Sequence, residues 1–187
     1  GGTWVEIKTL TSDGSDSDLS FVDGTSDVVL DSTYPVYCFK WTDIHPETDD
    51  VVFHFQGNAA AGSDYNETMT TTLFNAYGLE SGSDGALGYL ANFDQAQGTS
   101  YQPLVPHLGA DNDQSTAGEL WLFGPSSTTF VTHYMASVHM SDPDDGAYVV
   151  YTAGYFNTTS AIDEIQFKMS SGEIQAGKIK LFGIKDS

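Results

Sequence analysis

The chain has 187 residues, enough for one domain with a sizeable core, and 26 acidic residues against six lysines and no arginine give it a formal charge of −20. Phosphate and anionic-lipid recognition rest on Lys and Arg, so this composition argues against nucleic-acid binding and against binding to a membrane surface. No apolar run approaches the ~20 residues that span a bilayer, and the opening Gly1-Gly2-Thr3-Trp4 lacks the basic and apolar regions of a secretory signal.

In chain order the pattern is β throughout. Trp4 to Leu10 is the first expected strand, followed by a polar loop, Thr11 to Asp18. Leu19 to Val22 and Val28 to Leu30 are short strand candidates. Tyr34 to Ile44 is stronger: Tyr37, Phe39 and Trp41 alternate with Val36, Cys38 and Lys40, and Pro35 marks its start. His45 to Asp50 reads as a turn, after which Val51, Phe53 and Phe55 share one face of a second strand. The two runs read as an antiparallel pair.

Thr68 to Tyr77 is threonine-rich and strand-like. Gly78 to Gly88 is expected to be a flexible connection, and Leu87 to Phe93 a further strand. Gln95 to Ser115 is expected to be mostly loop, because Pro103 and Pro106 interrupt regular structure. Glu119 to Phe123, Thr129 to Met140 and Ala147 to Tyr155 follow as strands, with turns at Pro125-Ser126-Ser127 and Asp142 to Gly146. In the closing segment Ile165, Phe167 and Met169 alternate with Gln166 and Lys168. Ser170 to Gly177 leads to a last strand in which Ile179 and Leu181 face away from Phe182 and Ile184. A strand apolar on both faces is central or covered. About ten to twelve strands and no helix predict a single all-β domain over 1–187: a two-sheet antiparallel β-sandwich, with a jelly roll the expected topology.

Chemistry is sparse. The single cysteine, Cys38, rules out an intrachain disulfide and reads as a small buried core residue. His133 and His139 share a strand face but stand ~20 Å apart, too far to bind one metal ion; His54 could meet one of them across a sheet. Calcium is the better-suited ion, with acid-rich loops at Asp13, Asp16 and Asp18, at Asp111 and Asp113, and at Asp142, Asp144 and Asp145, the last trio being the candidate site. None has EF-hand spacing. No nucleophile elbow, P-loop or dinucleotide fingerprint is present, and no cofactor other than calcium is implied. Tyr65, Tyr77, Tyr89 and Tyr101, placed in or near loops, are candidates for stacking on sugar rings.

The closing residues, Tyr155 to Phe167 leading into Ser170 to Ile184, carry a resemblance. Their Ser-Ala-Ile-Asp-Glu-Ile-Gln-Phe and Ser-Gly-Glu-Ile-Gln-Ala-Gly-Lys-Ile-Lys-Leu-Phe-Gly-Ile runs are similar to the ending of a family of tailed-bacteriophage virion accessory proteins. Thr33 to Tyr37, Asp43 to Asp49 and Gly118 to Thr128 resemble that family's early and middle strands. The likeness covers roughly Trp4 to Lys185. It implies a non-enzymatic structural component of a phage particle (a capsid decoration, head fibre, or tail or fibre module). Such a component is assembled in the host cytoplasm, contacts other virion proteins, and is a homo-oligomer or present in many copies. It has no catalytic residues. The alternative is a carbohydrate-binding module for a host-surface glycan. Both readings assign recognition to the acidic, tyrosine-bearing loops between Gly57 and Ser115.

Overall fold

A computed structural model describes residues 3–60 and 62–186. Thirteen strands run in chain order: β1 (Trp4–Thr11), β2 (Leu19–Val22), β3 (Val36–Pro46), β4 (Val51–Ala59), β5 (Met69–Leu79), β6 (Gly85–Tyr89), β7 (Ala96–Gly98), β8 (Gln102–Leu108), β9 (Thr116–Phe123), β10 (His133–Ser141), β11 (Gly146–Phe156), β12 (Ile162–Met169) and β13 (Ile174–Ile184). One 3₁₀ turn, Ala91–Phe93, sits between β6 and β7. All pairings are antiparallel. A nine-stranded sheet has the order β1-β13-β3-β9-β10-β11-β5-β6, with β7 also on β5; a four-stranded sheet has the order β2-β12-β4-β8. The chain is therefore a two-sheet antiparallel sandwich.

Period-two alternation builds its core. Tyr37, Phe39 and Trp41 from β3 face Phe53 and Phe55 from β4, with Phe167 from β12 between them, and all are essentially without solvent contact. Ile179 and Leu181 of β13 point the same way. The buried apolar side chains of both sheets form one continuous cluster. Burying each such side chain stabilises the fold by roughly 1.5–3 kcal/mol relative to exposure.

Several sequence expectations are corrected. The runs now seen as β3 and β4 are not partners: β3 pairs with β13 and β9 in the large sheet, whereas β4 pairs with β12 and β8 in the small one. Each run has one apolar face, so alternation alone could not tell a hairpin from two strands facing each other across the core. His45 and Pro46 belong to β3 rather than to the turn. The ladder between β3 and β9 shifts between Trp41 and Ile44, where Asp43 has φ 55°, and this bulge turns Ile44 back into the core.

Val28 to Leu30 is not a strand, although Val28 and Leu30 are buried. Asp23 holds this segment by accepting the Leu30 N–H at 2.8 Å. Gly78 to Gly88 is not a flexible connection: its two ends pair as β5 and β6, and the expected strand at Leu87 to Phe93 resolves into the end of β6 and the 3₁₀ turn. Gln95 to Ser115 holds β7 and β8. Pro103 and Pro106 both lie in β8, at the edge of the small sheet, where one side of the strand has no ladder partner and proline is tolerated.

The closing strand fulfils its reading. β13 is enclosed between β1 and β3. Gly172 takes φ +69° in the turn before it, and Gly177 takes φ +105° beside the register shift between Ala176 and Lys178.

Candidate functional site

The histidines do not converge. His133 and His139 are exposed on β10 of the large sheet. His54 lies on β4 of the small sheet, so the expected meeting across a sheet does not occur. Among the described residues, no group of three or more His, Cys, Asp or Glu is placed to hold a metal ion.

His54 packs its ring 4.9 Å from that of Tyr101, and Lys168 places its ammonium 4.2 Å from the same tyrosine ring. The buried Nε2 of His54 has no hydrogen-bond partner. Burial first, and the Lys168 charge second, hold the imidazole pKa down to about 4 from 6.5. The unfolded chain takes up a proton near pH 6.5 that the folded chain refuses until about pH 4. The contribution of neutral His54 to stability is therefore full above pH 6.5 and is lost as pH falls through that window. Urea titrations of wild type and His54→Leu across the window are expected to diverge, with wild type losing more stability toward acid. Parallel curves would show that His54 is protonated in the folded state as readily as in the unfolded one.

The acidic trio forms a turn. Asp142 is buried, and its Oδ1 accepts the N–H groups of Gly146 at 2.7 Å and Asp144 at 3.2 Å. Asp145 accepts from Gln114 at 3.3 Å. This carboxylate closes the tight turn between β10 and β11. In the first loop, Asp13 and Asp16 likewise accept local backbone N–H groups, at 3.0 and 2.9 Å.

The four tyrosines are scattered. Tyr65 and Tyr101 are half-buried beside the small sheet; Tyr101 donates to Gln166, and burial together with Glu164 raises the Tyr65 hydroxyl pKa. Tyr77 and Tyr89 lie in strands β5 and β6, not in loops. Tyr77 stacks on Tyr148 at 4.9 Å and donates to Asp84. Only Tyr89 keeps a largely open ring, 62% exposed, with its hydroxyl donating to Asp94.

The exposed apolar surface lies instead on the outer face of the large sheet. Register places Lys180, Lys40, Glu119, Ser137, Tyr151, Phe74 and Tyr89 in one row across seven strands. The adjacent row is Phe182, Cys38, Trp121, Met135, Ala153 and Thr72. Seven of the eight large apolar side chains exposed among the described residues stand on this face: Trp4, Phe74, Leu87, Tyr89, Phe123, Met135 and Tyr151. Leu87 is 75% and Met135 56% exposed. Phe74 and Tyr151 stack at 5.2 Å.

Cys38 is buried on this same outer side, not in the core between the sheets. Its register neighbours Trp121 and Phe182 are covered by the Trp4 ring, which meets them edge-on at 5.2 and 5.6 Å. Burial, reinforced by Glu119, pushes its thiol up to about 12, which disfavours the reactive thiolate.

Two shallow grooves flank the Trp121–Tyr151 diagonal. One, of about 500 Å³, is floored by Ala117, Gly118 and Ser137 and rimmed by Lys40, Lys178 and Lys180. The other, of about 460 Å³, lies among Thr72, Phe123, Met135 and Tyr155. Along the outward rows the acids are Glu6 and Glu119, each bonded to a lysine of the same face: Glu6 to Lys180 at 3.0 Å and Glu119 to Lys40 at 3.1 Å. Three lysines against two glutamates leave this face at +1, in a chain of −20. The sequence reading missed this surface, because outward apolar residues on a strand read like core residues; the signal it held was the grouping of three of six lysines with few acids.

No family model matches the chain, and no curated protein or solved structure matches it.

Proposed function

We propose that this chain is a non-enzymatic structural component of a tailed-bacteriophage particle, a capsid decoration or a tail or fibre module, that works through protein–protein contacts. The observation that carries the contact role is the acid-poor, apolar outer face of the large sheet. Exposed apolar patches of this breadth mark interaction surfaces on soluble proteins. The phage assignment draws on the sequence resemblance of the closing strands. Strand order supports reading eight of the strands as a jelly roll: β1-β13-β3-β9 faces β2-β12-β4-β8, and the connections β1–β2, β3–β4, β8–β9 and β12–β13 each cross between the sheets. Quantitative mass spectrometry of purified particles is expected to find the chain at a fixed stoichiometry to the major capsid or tail protein. Its absence, or a trace that varies between preparations, would sink the virion assignment.

Carbohydrate binding retains one supporting observation, the open ring of Tyr89 beside Phe74 and Tyr151. A glycan array probed with and without calcium tests it, and a blank array removes it.

A further inference from the structure

We infer that the outer face of the nine-stranded sheet is the interface with a second copy of this chain, the two copies packing sheet on sheet about a twofold axis. The inference rests on reading the chain as a component that acts by contact, and it names the partner of that surface.

Charge is the first ground. Two molecules of −20 repel each other wherever their acidic loops approach. The outer face is where that repulsion is weakest, because its two glutamates are already bonded to lysines. A basic partner would be drawn to the acidic loops, whereas this face suits a partner surface that is itself apolar and nearly neutral. A second copy of the same face meets that description.

Size is the second ground. Eight strands at ~4.8 Å spacing span about 34 Å, and the outward rows cover about 20 Å along the strands, giving roughly 700 Å². A stable interface buries roughly 800 Å² per partner.

Shape is the third. Trp121 and Tyr151 lie between the two grooves, so a twofold axis parallel to that diagonal, set midway between it and the threonine-lined groove, places the ridge of each copy against that groove of the other. The same operation lays the lysine-rimmed side of one copy over the threonine- and histidine-bearing side of its partner, so the lysines do not meet. An isologous contact of this kind closes on itself and leaves the acidic loops of both copies facing solvent.

Sedimentation equilibrium of the full chain tests the pairing. Wild type is expected at twice the 20.2 kDa monomer mass, with association strengthening as salt rises toward about 0.5 M and screens the remaining repulsion. Met135→Asp and Tyr151→Asp each place a charge in the contact and are expected to weaken association at least tenfold while leaving the melting of the monomer intact, because both side chains are exposed in the single chain. Thr159→Asp, in an exposed turn before β12, adds the same charge away from the face and is expected to leave the dimer unchanged. A 20.2 kDa species at every salt and protein concentration would overturn the pairing, as would a dimer indifferent to both face variants. Neither result bears on whether particles contain the chain, so the two proposals fail separately.

Discussion

Phe167→Ala is expected to lower the melting temperature by roughly 10 °C. The ring of Phe167 is fully buried on β12 and lies within 5.4 to 6.3 Å, centroid to centroid, of Phe21, Phe39, Trp41, Phe53 and Phe55. Those five side chains come from β2, β3 and β4, so the ring joins the small sheet to the large one. Truncation removes the transfer free energy of the ring and leaves a cavity whose walls belong to three strands fixed by their own ladders. The walls cannot collapse inward, which places the cost near the upper end of the ~3–5 kcal/mol typical of buried Phe→Ala. For a chain of this length each kcal/mol shifts melting by about 2–4 °C. Phe167→Leu keeps most of the volume and should cost about a third as much. Circular-dichroism melts and urea titrations of the three chains check this. The slope of the urea curve should be unchanged, since the surface exposed on unfolding is the same. A melting point within a couple of degrees of wild type for Phe167→Ala would mean that the cluster repacks freely around the gap.

The second large effect is expected at Gly177. A Cβ there would stand 2.7 Å from the carbonyl carbon of Asp43 and from Cα of Ile44, with the Asp43 oxygen closer still, and the residue has φ +105°. Both neighbours are backbone atoms of β3 at its own bulge, so no side-chain rotation can make room. Gly177→Ala therefore combines a conformational penalty of roughly 1–3 kcal/mol with a steric one. Gly124 separates the two contributions: its φ is +57°, and an added Cβ would meet nothing within 4 Å. Gly124→Ala should cost only the roughly 1–2 kcal/mol of a left-handed residue, and Gly177→Ala clearly more. Urea titration of both variants measures the difference. Equal destabilisation would show that β13 can move away from β3 without loss.

The same pair of strands shows what the sequence can reveal and what it cannot. Alternation of Ile179 and Leu181 against Phe182 and Ile184 marks β13 as covered on both sides, because the period of a strand is written in consecutive residues. Sheet membership is not local. β3 and β4 are separated by four residues yet lie in opposite sheets, and nothing in the alternation of Phe39 and Trp41 or of Phe53 and Phe55 distinguishes a neighbour in the ladder from a neighbour across the core. Prolines misled for a related reason: Pro103 and Pro106 exclude a central strand, not an edge one. Leu30 shows the reverse case, an apolar residue buried without a strand because Asp23 ties its backbone down. The outer face was illegible for a different reason. Phe74, Met135 and Tyr151 are strand formers with large apolar side chains, and only the closing of the sandwich on their opposite side reveals that these rings are left outside.

The pairing of β1 with β13 has a mechanical consequence. Thr3 accepts the N–H of Lys185 at 2.9 Å, so the first and last described strands finish side by side at one rim of the large sheet. Tension applied through those two points would load the ladder one hydrogen bond at a time, from Trp4 opposite Ile184 toward Thr11 opposite Lys178, in an unzipping geometry that offers little resistance. Tension applied across the sheet face would act on the aromatic cluster as a whole. A chain built this way withstands load from a neighbour lying on its face far better than from a tether pulling at both ends.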